Sequence, residues 1–71
     1  MKESKSPLII NGQKYHYEIS FTVFSLLEYL GFNTELIVVD YNGIILQKEF
    51  WSRTLVKAND TIEILTVAGG G

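Results

Sequence analysis

Thr22-Val23-Phe24-Ser25-Leu26-Leu27-Glu28-Tyr29-Leu30-Gly31 is the stretch that decides the fold. Val23, Leu26, Leu27 and Leu30 stand at i, i+3, i+4 and i+7, which makes one apolar stripe along a helix. Thr22 has the hydroxyl that accepts from the free N–H groups of a first helical turn. Gly31 fits the left-handed position just past the last turn. Phe24 and Tyr29 fall off the stripe, so partial exposure is expected for both. Such a helix runs about nine residues, too short to persist in water alone. It has to pack on a partner surface, and the flanking sequence supplies strands.

Upstream, Leu8-Ile9-Ile10 is a short strand-forming run followed by Asn11-Gly12. Asn-Gly is the preferred pair for a two-residue hairpin turn with both residues at positive φ. Gln13 to Ile19 is expected to return as the second strand. Downstream, Leu36 to Tyr41 is β-branched and ends at Asn42-Gly43, a second hairpin signal, with Ile44-Ile45-Leu46 as its return. Gln47 to Arg53 holds Phe50 and Trp51 among charges. It reads as an irregular or single helical turn that plugs one end of the core. Asn59-Asp60 reads as a turn, and Thr61 to Val67 alternates as a last strand. The order β-β-α-β-β-β predicts an α+β protein of the β-grasp (ubiquitin-like) type. It has a mixed sheet of four to five strands with one main helix packed on one face. In that order the first and last strands pair in parallel at the sheet centre. Leu8 to Ile10 and Ile62 to Val67 are the most apolar strands, as central strands should be.

The chain has 71 residues, so one domain is the limit. A folded chain of this size buries roughly 60% of its surface, leaving little room for a catalytic pocket. There is no cysteine, which excludes disulfide scaffolds, thiolate metal sites and cysteine nucleophiles. A single histidine makes a Ser-His-Asp triad or a multi-histidine metal site improbable. A net charge of -2 argues against an electrostatic grip on nucleic acid. No apolar run approaches the roughly 20 residues of a membrane span. The first residues resemble neither a signal peptide nor a transit peptide. The expected partners therefore include neither nucleic acid nor a membrane. The expected location is cytoplasmic in a bacterium, or the plastid stroma for an organelle-encoded chain. Residues 1–7 are expected to be a flexible extension, 8–67 the domain, and 68–71 a flexible glycine tail.

Side chains offer little chemistry. His16, between Tyr15 and Tyr17, reads as a surface strand residue without the partners a base or ligand needs. Glu49 and Asp60 read as solvated charges. Trp51 and Phe50 read as core and rim packing rather than a stacking platform. The tail Ala68-Gly69-Gly70-Gly71 differs from all of these. Three glycines contribute no packing and lose the most freedom on ordering. Such an end is a frayed terminus, or it is a side-chain-free arm that threads a narrow channel. In the second case it presents the Gly71 α-carboxylate to another protein's active site, and no catalytic side chain is needed.

A β-grasp order that ends in Val67-Ala68-Gly69-Gly70-Gly71 resembles the sulfur carrier proteins of thiamin biosynthesis, the ThiS family. The likeness covers nearly the whole chain. It includes the Ile10-Asn11-Gly12 turn and the helix from Thr22 to Leu30. It continues through the Val38-Val39…Asn42-Gly43…Ile45 hairpin with Trp51 downstream, and Asn59-Asp60 before the last strand. The polar extension before Leu8, Asn59 where the family often has glycine, and Asp40 near the hairpin depart from the pattern. The resemblance implies that the chain is a protein co-substrate rather than an enzyme. An E1-like adenylating enzyme of the ThiF type, using ATP and Mg2+, would convert the Gly71 carboxylate to an acyl-adenylate. A persulfide sulfur donor would turn it into a thiocarboxylate, and thiazole synthase (ThiG type) would take the sulfur. No cofactor is expected on the carrier itself. Gly70, Gly69 and Ala68 would thread into the partner. If the helix covers Ile62 and Ile64, Leu65 and Val67 are left on the open face as the partner-binding surface. The alternatives are the small subunit of molybdopterin synthase, another ubiquitin-like sulfur carrier, or a ubiquitin-like module that only binds.

Overall fold

The computed structural model describes residues 7–17 and 20–67. Strands β1 (Leu8–Ile10) and β2 (Gln13–Tyr15) precede helix α1 (Val23–Leu30). Strands β3 (Ile37–Tyr41) and β4 (Ile44–Leu46), a 3-10 helix (Lys48–Arg53) and β5 (Thr61–Thr66) follow. The sheet order is β2-β1-β5-β3-β4. Only β1 and β5 are parallel; the other neighbours are antiparallel. This is the expected β-grasp arrangement, with all five strands in one sheet.

Local chemistry accounts for the elements. Both Asn-Gly turns place both residues at positive φ: Asn11 at 50° and Gly12 at 82°, Asn42 at 52° and Gly43 at 90°. That backbone twist matches the twist of the strands it joins. Thr22 caps α1 as expected, and Ser25 completes a reciprocal box. The Ser25 N–H donates to Thr22 Oγ1, and the Thr22 N–H donates to Ser25 Oγ, both at 3.1 Å. Gly31 ends the helix in the left-handed conformation at φ 85°. There its N–H and that of Phe32 bond the carbonyls of Glu28 and Leu27.

β2 ends at Tyr15, before His16 and Tyr17; Glu18 and Ile19 of the expected Gln13 to Ile19 lie outside the described residues. The pairing runs Ile10 with Gln13, Ile9 with Lys14 and Leu8 with Tyr15. The next residue on β1's side is Pro7, which has no N–H to continue a ladder. Its carbonyl instead accepts from the Asn59 N–H at 3.1 Å. β5 likewise ends one residue before the expected Val67.

The core lies between α1 and one face of the sheet. Val23, Leu26, Leu27, Val39 and Ile62 are fully buried there. Trp51 closes one end, and its indole N–H donates to the Leu46 carbonyl at 2.9 Å. The 3-10 helix therefore does plug the core through Trp51, while Phe50 stays exposed. The start of α1 is held by the segment after that plug. The Val23 N–H donates to the Thr54 carbonyl, and the Val56 N–H to the Phe21 carbonyl, both at 2.8 Å.

Asp60 corrects the sequence reading: it is not a solvated charge but a residue only 6% exposed. Its Oδ2 accepts from the Tyr41 hydroxyl at 2.5 Å and the Lys57 N–H at 2.7 Å. Its Oδ1 accepts from Asn42 Nδ2 at 3.1 Å. Burial pushes the carboxyl's pKa up, but these hydrogen bonds outweigh it and hold the group below its ordinary value. Tyr41 is pushed up to about 12, by burial first and then by its bond to Asp60. Asn59, at φ 72°, turns the chain into this site.

The two shifts set opposite edges of a stability window. A lowered carboxylate stabilises the fold above its unfolded value of 3.8 and loses that contribution as pH falls through the folded value. A raised phenol stabilises the fold below 10.0 and loses its contribution between there and about 12. Thermal unfolding midpoints are thus expected to fall below pH 4 and above pH 10, with Tyr41→Phe flattening the alkaline limb. An unchanged alkaline limb in that variant would remove Tyr41 from the account. Asp60→Asn sets an amide N–H2 against neighbouring donors and is expected to cost about 2 kcal/mol in urea unfolding.

Candidate functional site

β5 fixes where the tail leaves the domain. Along it Ile62 and Ile64 turn inward under α1 and are buried, while Thr61, Glu63 and Leu65 are exposed. β3 pairs with it residue by residue, Val38 opposite Leu65 and Asp40 opposite Glu63. On its other side Asp40 faces Ile45 of β4. Strand alternation puts these residues on the sheet face that α1 does not cover. Leu65 is 54% exposed and Ile45 55%. Val67, the last described residue, is 44% exposed. Its N–H donates to the Leu36 carbonyl at 2.7 Å, so the chain is held to β3 up to this point.

The open face thus carries Val38, Ile45 and Leu65 next to two carboxylates set directly across from each other. Like charges directly opposite on neighbouring strands repel. Asp40 is partly taken up by the turn, where its Oδ1 accepts from the Gly43 N–H at 2.8 Å. An exposed apolar surface beside negative charge suits a transient protein contact whose other side carries a cation.

Of the residues expected at the site, Leu65 and Val67 have exposed side chains. Gly71, Gly70, Gly69 and Ala68 lie outside the described residues. Sequence reasoning missed Val38 and Ile45. Their signal was available in the register that the Asn42-Gly43 turn imposes on Val38, Asp40 and Ile45, but it needed β5's pairing to be read as one face. His16 is exposed in the segment after β2 and Glu49 in the 3-10 helix. Trp51 is buried with its N–H satisfied, so its ring offers no stacking surface. Among the described residues no group of three or more His, Asp or Glu is placed to hold a metal ion. None of their helices is long and apolar enough to cross a membrane.

Similarity to known proteins extends over most of the chain. Residues 8–71 match the ThiS family model. The chain is similar to a crystal structure of the thiamine biosynthesis protein ThiS from Geobacter metallireducens. That match has a TM-score of 0.79 and 34% identity over 92% of this chain and 99% of that one. A solution structure of a thiamine biosynthesis protein from the same organism gives 0.74 and 32%, over 92% and 87%. It is 42% identical over 62 residues to an uncharacterised protein ycf40 of Trieres chinensis, 87% of this chain and 85% of that one. It is also 34% identical over 64 residues to a thiazole synthase of Paramagnetospirillum magneticum, which covers 90% of this chain and 20% of that one. With the fold and the family match in agreement, the chain belongs to the ThiS family, the ubiquitin-like β-grasp proteins of thiamin biosynthesis.

Proposed function

We propose that the protein carries sulfur for the thiazole ring of thiamin on the carboxyl group of Gly71. The observation that carries this reading is a family match that runs to residue 71 and so includes the glycine end. The tail follows directly from the strand that forms the exposed apolar face, so a partner seated on that face also holds the tail. No side-chain nucleophile is required of this chain.

The chemistry is that of an activated acyl group. The Gly71 carboxylate attacks the α-phosphorus of ATP in an adenylating enzyme of the ThiF type, and pyrophosphate leaves. Mg2+ belongs to that enzyme's site. The acyl-adenylate is a mixed anhydride with AMP as a good leaving group. The terminal sulfur of a persulfide attacks the acyl carbon and displaces AMP. A thiol then cleaves the resulting S–S bond and leaves the thiocarboxylate. A thiazole synthase takes this sulfur. The Paramagnetospirillum thiazole synthase, with a region similar to this chain in its own polypeptide, supports that acceptor. The ycf designation of three similar proteins supports a plastid location.

Incubation with the adenylating enzyme, ATP, Mg2+ and a persulfide donor is expected to raise the intact mass by the difference between sulfur and oxygen, at Gly71. No shift with an enzyme active on its own carrier would leave a ubiquitin-like module that only binds. Leu65 and Val67, with Val38 and Ile45, form the docking face in this reading. Leu65→Asp is expected to lower kcat/KM for adenylation about tenfold or more while the unfolding midpoint barely moves, because the residue is an exposed interface anchor. Unchanged adenylation kinetics would remove this face from the contact.

A further inference from the structure

β5 is longer than the neighbour on one of its sides. Against β3 it is paired from Ile62 through Thr66. Against β1 the register covers only Ile9 with Thr61 and Ile10 with Ile62, and then β1 turns away at Asn11-Gly12. The Asn11 side chain extends that ladder by one bond, its Oδ1 accepting from the Ile64 N–H at 2.6 Å. Backbone groups of alternate residues point to the same side of a strand. The Asn11 N–H donates to the Ile62 carbonyl on that side, and the Ile64 N–H points there too. Two residues on, the Thr66 N–H and C=O face the same way, beyond the end of β1. The Val67 N–H points to the opposite side, to Leu36. Past Asn11, therefore, the last part of β5 has a strand edge that no described strand covers. A bay lined by Ile10, Asn11, Gln13, Tyr15, Leu30 and Phe32 lies on the β1–β2 side, and Asn11 is the residue that links it to this edge.

Such an edge is normally blunted, because it templates pairing with another chain. Here nothing in the described sheet blunts it, and it runs straight into the tail. Gly71 is five residues beyond Thr66, which even fully extended spans only about 17 Å. Any protein that holds the end of the tail must place its own backbone within that reach of the edge.

We propose that an extended segment of the thiazole synthase adds to the sheet along β5, pairing with Ile64 and Thr66 where β1 leaves off. This rests on the reading of the chain as the synthase's sulfur donor. The synthase is the partner favoured because a protein of that name has a region similar to this domain in one polypeptide. The main chain of the added segment bonds the Thr66 N–H and the carbonyls of Ile64 and Thr66. Its alternate side chains are apolar and enter the bay at Leu30 and Phe32. The added strand aligns the tail before it enters the active site and cuts the entropy cost of threading glycines.

Amide hydrogen exchange on the full chain, free and with the thiazole synthase of the same host, tests this. The Thr66 amide is expected to exchange fast in the free protein and at least about tenfold more slowly in the complex, as a newly bonded amide does. Thr66→Pro removes that donor on a side where no described strand uses it, and is expected to weaken binding about tenfold. Its thermal unfolding should be unchanged, since proline is tolerated where a strand N–H faces outward. If the variant does not fold, the exchange measurement on the unaltered chain decides alone. A complex with unchanged Thr66 exchange would overturn the added strand and leave the carrier function standing. Absence of any complex, with thiocarboxylate present at Gly71, would overturn the added strand and the choice of acceptor together.

Discussion

The sheet is two hairpins joined through a single strand. Within the sheet, β1 and β2 pair with neither β3 nor β4; each hairpin is joined to the other through β5. Whatever holds β5 in register therefore holds the sheet together. Part of that hold comes from the two turn asparagines. Asn11 Oδ1 accepts from the Ile64 N–H at 2.6 Å, and Asn42 Oδ1 accepts from the Thr61 N–H at 2.7 Å. Each turn thus makes its own hairpin and also clasps the strand between the hairpins. Asp60 anchors the start of that strand to Tyr41 and Asn42. In a chain this small, with no disulfide, such clasps supplement a core that is modest by area.

The same strand serves the function. One side chain row, Ile62 and Ile64, is buried under α1; the other row, Glu63 and Leu65, forms the open face. The C-terminal end leads into the glycine tail. Fold closure, docking surface and tail direction are properties of the same few residues, so they cannot vary independently. A reactive carboxylate on an arm without side chains then needs only a body that a partner can grip and orient.

Much of this was legible in the sequence because its signals are local. Asn-Gly specifies a turn by backbone conformation alone, and Thr22 and Gly31 mark a helix by the groups that helix ends leave unpaired. The inward row of β5 followed from alternation. What stayed hidden depends on residues far apart in the chain. Asn11 and Ile64 are 53 residues apart, so nothing near Asn11 announces that its amide caps the central strand. Asp60 looked like an ordinary turn carboxylate until Tyr41 and Asn42 were brought to it. The shortness of β2 was foreseeable only by counting register back to Pro7, and that needed the pairing first.

The most direct measurement is the intact mass of the protein isolated from its native host during demand for thiamin, with fragmentation to locate any change. A sulfur carrier is expected to show a fraction of chains in which one oxygen at the Gly71 carboxyl group is replaced by sulfur. A fraction that is lost on treatment with an alkylating reagent and reappears as the S-alkyl product would confirm a free thiocarboxylate. Chains carrying only the plain carboxylate, under conditions in which the thiazole is being made, would contradict the carrier function.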